Sequence, residues 1–393
     1  MGIASRLFFL FIILSVLSSP AQNIYLNAGT LMSRENFYES LPRTLKVSND
    51  ESSSHVQGVA VDTRNGYIYF SFTTKLIKTN LYGKVVGSVR GFSCHLGCIE
   101  LDLATGKLYA SIEYKDDAIG QGISGGDAID RENTFYIGIF DTDKITSTNL
   151  DAERSGVFTT VYLPEVVSWY NDSIVNNGTK YPHVYGCSGV DGISLGPQFG
   201  KTDGENFVNI ALGIYKDNSR TDNDYQVLLQ YRLSDLDKYA MPLDQSHPHH
   251  NGPESAYNRY FVYTGNTNYG TQNLEYDSYT HHWFIAAYKG GKSKFPNYPL
   301  FAVDGTVAPV YQTLKGFNPE QKGMILSLAT DGTLHKNSGV YGWSQNVGSV
   351  GIESLGNGYF YIATQGSSDG LQNCTIKLYK WTGATVNPFM LVE

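Results

Sequence analysis

One pattern of apolar and polar positions recurs five times along the chain. Each copy begins with a histidine or glycine, and apolar residues then alternate with polar or small ones for several positions, as in HVQGVAVD. The copies lie at residues 55–62, 95–102, 189–196, 270–277 and 348–355. Alternation with a period of two is typical of a β-strand that has one buried face. The pattern therefore predicts five equivalent strands.

Further strands are predicted after each copy, where turn residues separate runs rich in aromatic residues. Second strands are predicted at 67–73, 107–114, 207–215, 283–288 and 359–364, and third strands at 75–81, 135–141, 225–233, 300–304 and 376–381. Fourth strands are clear at 84–89, 158–163 and 387–392 and ambiguous in the other two units. No segment shows convincing helical periodicity, so we predict an all-β fold.

Four-stranded antiparallel units repeated in one chain predict a β-propeller. The five starts favour five blades, and the 41 glycines and 13% aromatic residues agree with strands and turns. The spacing is uneven, at about 40, 94, 81 and 78 residues. The longer intervals contain either loop insertions or further blades, and two apolar runs, 261–265 and 323–329, have no assigned place. Six or seven blades therefore remain alternatives.

The blade starts also carry a family resemblance. HVQGVAVD followed by GYIYFS resembles the opening strands of NHL-type and gluconolactonase-like propellers. RTDNDYQV, YTGNTNYGTQNLEYD and FPNYP resemble uncharacterised exported propellers of the kind found in gut bacteria. The resemblance implies a propeller fold and no particular activity.

The first 21 residues resemble a secretory signal peptide. Arg6 precedes an apolar run at 7–17, and Ser19 and Ala21 satisfy the small-residue rule for cleavage. The run is too short to span a bilayer. We therefore expect a single propeller domain at 22–393, secreted or periplasmic, with no membrane insertion.

Charge and cysteine content narrow the choice of partners. A net charge of −8 disfavours nucleic acid and anionic membranes. Four cysteines are too few for a disulfide scaffold, and both a Cys94–Cys98 bridge and buried free thiols are possible at this point. We expect a monomer with no organic cofactor.

The leading position of the repeat holds His55 and His95 in the first two copies. The first strand of a propeller blade lines the central channel, so both imidazoles are predicted at one channel mouth, where propeller ligand sites usually lie. Two imidazoles there can act as an acid–base pair or hold a metal. Alternatively, each one caps a strand. With Asp191, they form the predicted catalytic set.

Carboxylates recur five positions after the leading residue, in a set made of Glu100, Ser194, Glu275 and Glu353. Like charges around a narrow ring repel each other unless a cation compensates them, and Ca²⁺ accepts carboxylate and hydroxyl oxygens. The arrangement is similar to that of calcium-activated nucleotidases, five-bladed propellers with one Ca²⁺ in the channel. The alternative is that these glutamates pair with lysines or face solvent. We expect a Ca²⁺ site.

A tyrosine–lysine pair follows the second strand in three successive units. Tyrosine rings stack on sugars, and lysine or arginine binds carboxylate, sulfate or phosphate. Lysines at these points can also be simple solubilising residues. The predicted substrate-binding residues are Tyr114, Lys115, Tyr215, Lys216, Arg220, Tyr288 and Lys289.

Three functions are consistent with these residues. The favoured one is a propeller that acts on or recognises an acidic oligosaccharide or polysaccharide at the channel mouth, as a polysaccharide lyase or a glycoside hydrolase. The second is a non-catalytic propeller that binds glycan or protein, and the third is a calcium-dependent phosphohydrolase. Predicted insertions at 115–134, 165–187 and 240–270 would lie around the mouth, where long loops usually serve a site.

Overall fold

The chain forms a five-bladed β-propeller in a computed structural model that describes residues 25–27, 30–32, 34–50, 54–124, 132–265 and 267–393. The predicted signal peptide at 1–21 lies outside the described residues. The first strands of successive blades contact each other, and the first strand of blade 5 contacts that of blade 1. These contacts close the ring around a central channel, and they confirm the predicted fold class with five blades.

Each blade is an antiparallel sheet, numbered here from the channel outwards. Blade 1 contains Val56–Asp62, Tyr67–Phe72, Lys75–Asn80 and Val85–Arg90. Blade 2 contains His95–Asp102, Lys107–Tyr114, Thr134–Asp141 and Phe158–Tyr162. Blade 3 contains Cys187–Pro197, Asn206–Ile214, Tyr225–Arg232 and Asn258–Tyr263. Blade 4 contains Asn268–Asp277, His282–Tyr288 and Leu300–Asp304. Blade 5 contains Ile352–Gly356, Tyr359–Ser368, Leu371–Trp381 and Thr44–Ser48.

Shorter elements decorate these blades. The additional strands are Tyr25–Asn27, Thr30–Met32, Leu150–Asp151, Ser173–Asn176, Thr179–Pro182, Met241–Pro242, Val310–Thr313, Lys322–Leu326, Thr333–His335, Val340–Gly342 and Phe389–Leu391. The α-helices are Arg34–Ser40, Ala118–Ile123, Pro164–Asn171 and Leu233–Tyr239, with 3-10 turns at Thr142–Lys144 and Val184–Gly186. With eight residues at most, these helices are too short to show the periodicity by which a sequence predicts one.

The two ends of the chain meet in blade 5. Its fourth strand is Thr44–Ser48, which pairs antiparallel with Leu371–Trp381. The strand predicted at 387–392 is present as Phe389–Leu391 and pairs antiparallel with the C-terminal end of the same third strand, but Thr44–Ser48 is the longer fourth strand. Hydrogen bonds between the N-terminal and C-terminal segments hold the ring closed.

The two unassigned apolar runs belong to blade 3 and form no sixth blade. Asn258–Tyr263 is its fourth strand, and Lys322–Leu326 adds a parallel strand beyond it. Lys322–Leu326 lies in the interval after the start of blade 4, so part of that interval widens the sheet of blade 3. Apolar clusters fill the space between each pair of neighbouring blades, so the inner strands of a blade are largely buried on both faces, whereas an outer strand such as Thr44–Ser48 is exposed at alternate positions.

The blades pack closely against one another at the fourth position of the repeat. A Cβ atom on Gly58 would lie 2.9 Å from the Ile99 nitrogen, so only glycine permits this approach of blades 1 and 2. The side chains of Cys98 and Asn273 fill the same level, with the thiol 3.2 Å from the amide oxygen of Asn273. This level, which we call the waist, separates two channel mouths.

The cysteines and the helices answer two questions that the sequence raised. All four cysteines are buried free thiols, so Cys94 and Cys98 are not bridged. No helix among the described residues is long and apolar enough to cross a membrane.

Candidate functional site

A pocket of about 320 Å³ opens at the mouth where the first strands begin, and we call it the histidine mouth. Both predicted histidines line it, together with Asp191 and Lys115. The three predicted catalytic residues, which come from three different blades, therefore share one pocket.

A β-bulge sets the direction of the His95 side chain. The register of blade 2 shifts between Leu96 and Ile99, so that this strand has one more residue than its partner. His95 lies opposite Glu113, and Glu100 lies opposite Tyr109. These two partners are an even number of residues apart, so their side chains are on the same face of the sheet. The extra residue thus places both side chains on one face, although they are five positions apart.

Glu113 is the centre of a buried network in the histidine mouth. Its Oε2 atom lies 3.0 Å from His95 Nδ1 and 2.9 Å from the Lys115 ammonium nitrogen. Its Oε1 atom accepts a hydrogen bond of 2.7 Å from the Val190 backbone N–H. Burial alone would raise the pKa of Glu113, but Lys115 and His95 outweigh burial and hold the pKa below its usual range. The carboxylate is therefore ionised.

Lys115, which the sequence predicts as a substrate-binding residue, is a buried cation in the pocket lining. Its side chain is only 6% exposed, and the ammonium group also donates to the Ser188 carbonyl at 2.9 Å. Burial on its own would lower the pKa of Lys115, but Glu113, Asp191 and Asp117 raise it. The ammonium group stays charged and compensates the carboxylates around it.

The titration of Asp191 is unusual for an aspartate. Burial and the nearby Glu113 carboxylate raise its pKa to about 7, against the opposing effects of His95 and Lys115. The Gln272 amide donates to its Oδ2 atom at 3.1 Å. Ligand atoms of His95, Glu113 and Asp191 lie within 4.8 Å of one another, a spacing that suits a metal. Because the Lys115 ammonium already contacts Glu113, the set fits proton transfer better than metal binding.

Tyrosines form the wall of the histidine mouth. The Tyr215 hydroxyl donates to Asp117 Oδ2 at 2.7 Å, and this hydrogen bond holds the tyrosine ring in place. Asp117 is itself fixed as the N-cap residue of helix Ala118–Ile123. Tyr288 and Tyr269 also line the pocket and are 37% and 41% exposed. Exposed aromatic rings beside polar groups are suited to stacking on a sugar.

Four predicted binding residues lie outside the pocket lining. Tyr114 is buried against Tyr136, and its hydroxyl donates to Gln245. Arg220 is 3% exposed and pairs with Asp222 at 2.6 Å. Its guanidinium group also donates to the backbone carbonyls of Pro182 and His183. Arg220 therefore holds the backbone in place and is not available to a ligand. Lys216 and Lys289 are exposed and follow the lining residues Tyr215 and Tyr288 in sequence.

The predicted metal ligands come together at the other end of the channel, which we call the glutamate mouth. Carboxylate oxygens of Glu100, Glu275 and Glu353 lie within 4.8 Å of one another, and the Ser194 hydroxyl donates to Glu100 at 3.3 Å. A pocket of about 540 Å³ opens beside them. At about 3.3 Å per residue, five residues of strand put this set roughly 15 Å from the histidine mouth.

The charges of the three glutamates are not balanced by a neighbouring cation. No ion pair between described residues includes any of them. Burial and their mutual repulsion raise the pKa of Glu275 and Glu353 well above the usual range, and burial raises that of Glu100 to about 8. This mouth therefore differs from the histidine mouth, which contains its own cation.

Sequence reasoning missed Glu113, Tyr269 and Gln272, and it did not recognise that the glutamates and the lysines lie at opposite ends of the channel. A signal for Glu113 was present, because it is the one acidic residue within the strand KLYASIEY. The two ends of the channel could not be separated without knowing that Cys98 and Asn273 fill the waist.

Comparisons with known proteins support no assignment to a family. No family model matches the chain, and no curated protein matches it. Among solved structures, the soluble aldose sugar dehydrogenase from Escherichia coli in its apo form is similar, with 9% identity, 85% of this chain and 99% of that chain covered, and a TM-score of 0.36. A protein of unknown function from Bacteroides caccae has 9% identity, coverage of 65% and 80%, and a TM-score of 0.28. The Dos1 propeller has 10% identity, coverage of 86% and 82%, and a TM-score of 0.27.

Proposed function

We propose that the histidine mouth binds an acidic glycan and acts on it by general acid–base catalysis, with His95 and Asp191 as the proton-transfer pair. The observation that carries the proposal is their shared pocket, in which the pKa of Asp191 is raised to about 7. A group that titrates near neutral pH beside an imidazole is typical of an acid–base site.

The contacts of His95 define its role. An ionised Glu113 can only accept hydrogen bonds, so the proton of the imidazole is on Nδ1, where it faces Glu113. Nε2 is then free to accept a proton from a substrate. Glu113 acts as a positioning residue that orients the ring, and Lys115 in turn keeps Glu113 ionised.

This arrangement favours elimination over hydrolysis by two carboxylates. A retaining glycosidase needs two free carboxyl groups about 5–5.5 Å apart. Glu113 is not free, because the Val190 N–H, His95 and Lys115 already occupy it. In an elimination, His95 would take the proton next to the carboxyl group of a uronate, the carbon–oxygen bond at the next carbon would break, and protonated Asp191 would give its proton to the leaving oxygen. The products are an unsaturated uronate and a shortened glycan.

Other features support a glycan as the ligand. Tyr269 and Tyr288 offer exposed rings at the pocket, and Lys216 and Lys289 flank it with positive charge. These lysines would contact acidic groups on neighbouring sugars, outside the pocket itself. Export, which the sequence of residues 1–21 predicts, would bring the protein to extracellular polysaccharides.

The test is a panel of uronate-containing polysaccharides, in which the ultraviolet absorbance of the unsaturated product is followed. His95→Ala and Asp191→Asn should each lower kcat/KM by about 10²–10⁴-fold. His247→Ala, in an exposed loop, is the matched control and should behave like the wild type. Turnover that survives in both pocket variants would refute the proposed roles.

A non-catalytic glycan-binding propeller is the second candidate, and one observation favours it. The carboxylate of Glu113 already contacts the Val190 N–H, His95 and Lys115, as expected of a network that only supports the pocket. Glycan binding without any turnover would select this candidate. A calcium-dependent phosphohydrolase would need the phosphate-binding lysine and the calcium-binding glutamates in one site. Lys115 and the glutamates lie at opposite mouths, so this alternative is not favoured.

A further inference from the structure

The glutamate mouth joins all five blades at one point. Glu100, Glu275 and Glu353 come from blades 2, 4 and 5, and Ser194 comes from blade 3. Blade 1 takes part through the Val61 N–H, which donates to Glu353 Oε1 at 2.8 Å. A ligand held here would therefore connect the whole ring.

The spacing of the carboxylate oxygens fits a Ca²⁺ ion. Ca²⁺ binds oxygen at 2.3–2.6 Å, so two ligands on opposite sides of one ion are at most about 5 Å apart. Oxygens of Glu100, Glu275 and Glu353 lie within 4.8 Å of one another and meet this limit. The adjoining pocket is open and polar enough to supply water for the remaining coordination positions.

One carboxylate oxygen at this site has no partner. Glu353 is 6% exposed, and its Oε2 atom is buried without a hydrogen bond. Its Oε1 atom is fixed by the Val61 N–H, so the unpartnered oxygen is held in place beside the other two glutamates. A buried carboxylate oxygen without a donor is costly, and a bound cation would satisfy it.

The donor atoms also select among cations. They are all carboxylate or hydroxyl oxygens, which are hard ligands and suit Ca²⁺ or Mg²⁺, whereas Zn²⁺ in proteins is usually bound by histidine or cysteine. Mg²⁺ needs near-ideal octahedral geometry at about 2.0–2.1 Å and releases its water reluctantly. Flexible coordination, which Ca²⁺ tolerates and Mg²⁺ does not, is easier to assemble from side chains on three separate blades.

We propose that Glu100, Glu275 and Glu353, with Ser194, form a calcium site that ties the five blades together at the glutamate mouth. The site is independent of the glycan pocket, since the waist lies between them. Its role is structural, because the ion would replace repulsion among three carboxylates by attraction to a shared charge.

The test uses the full mature protein, freed of metal with EDTA and then transferred to buffer without chelator. Calorimetric titration should show one Ca²⁺ bound per chain, and Mg²⁺ should bind at least tenfold more weakly. At a hundredfold excess over Kd, Ca²⁺ should raise the melting temperature by about 3–4 °C. Absence of both binding and stabilisation would overturn the proposal, and equal affinity for Mg²⁺ would overturn the assignment to calcium.

Variants locate the ion. Glu353→Gln should weaken Ca²⁺ binding at least tenfold, and Glu254→Gln, at an exposed position, should leave it unchanged. Tb³⁺ luminescence provides a second measurement, because Tyr276 lines the same pocket and can transfer energy to a bound ion. Wild-type Ca²⁺ affinity in Glu353→Gln would place the ion elsewhere and refute the site. Since none of these measurements uses a glycan, their failure is distinct from failure of the proposed function.

Discussion

The two mouths of the channel contain similar numbers of acidic groups and treat them in opposite ways. In the histidine mouth, Lys115 and His95 contact Glu113 directly, so the negative charge is compensated by the protein itself. In the glutamate mouth, no described lysine or arginine pairs with the three glutamates, and Glu353 Oε2 has no partner. Buried carboxylates need a compensating charge. The first mouth therefore has a complete charge network, and the second needs a proton or an external cation.

Removal of the internal cation should have the largest effect. Lys115→Met leaves Glu113, Asp191 and Asp117 without their ammonium group, and loss of one partner of a buried ion pair costs about 3–5 kcal/mol. The free energy of unfolding, from denaturant titration, measures this. Lys216→Met removes the same charge from an exposed neighbour and should cost less than about 0.5 kcal/mol. Equal losses in the two variants would show that Lys115 does not stabilise the pocket.

The same substitution should have opposite signs at the two mouths. Glu113→Gln breaks contacts with His95 and Lys115 and should destabilise the protein by about 2–4 kcal/mol. In EDTA, Glu353→Gln removes a buried carboxyl group that must either take up a proton or repel its neighbours in the folded state, and should stabilise the protein by about 1 kcal/mol. Melting curves of both variants in the same buffer make the comparison. A loss of stability at both positions would contradict the difference in charge balance described here.

The pH dependence of stability should identify Asp191. Its folded-state pKa of about 7 lies above the ordinary 3.8, so its contribution to stability is complete below about pH 4 and is lost as the pH rises through 7. Asn does not titrate, so the wild type should lose about 1–2 kcal/mol relative to Asp191→Asn between pH 4 and pH 8. The amount is modest because Asp191 is half-buried at an open pocket.

Denaturant titrations at several pH values provide the measurement, with Asp203→Asn, at an exposed position, as the control for removal of one negative charge. A difference between the wild type and Asp191→Asn that stays constant with pH would mean that Asp191 titrates as an ordinary aspartate.

The exposed lysines should show the smallest effect. Lys289→Ala should change stability by less than about 0.5 kcal/mol and weaken binding of an acidic glycan by at most about 1 kcal/mol, an effect that disappears in high salt. Titrations at two ionic strengths measure it. A loss that salt does not reduce would indicate that Lys289 binds the glycan in a desolvated contact.

The fold was largely predictable because strand periodicity is a local property of the chain. Five first strands and five second strands were placed close to their observed positions. The fourth strand of blade 5 was not predicted, because Thr44–Ser48 pairs with a strand more than 300 residues away. The sequence of a single short strand does not indicate which strand it pairs with. The width of blade 3 was missed for a similar reason, since Lys322–Leu326 returns to it after blade 4 has intervened.

The candidate sites were predictable in part. Glu100, Ser194, Glu275 and Glu353 were grouped correctly because equal positions in successive repeats lie at equal heights in the ring. The surroundings of the predicted binding residues Lys115 and Arg220 could not be predicted from the sequence. Lys115 turns inwards to Glu113, and Arg220 turns to Asp222, since a buried carboxylate attracts a cation more strongly than solvent-exposed neighbours do.

The sequence by itself determined the five-fold pattern, the strand starts and the recurrence of glutamate at one height, because each depends on residues close together in the chain. Only the tertiary structure decided which mouth each residue reaches and which charge it meets. One extra residue in a β-bulge places the side chains of His95 and Glu100 on the same face of their strand. The side chains of Cys98 and Asn273 fill the level between the two mouths. These outcomes depend on how distant strands pack around the channel, and charge compensation acts only between groups that packing has brought into contact.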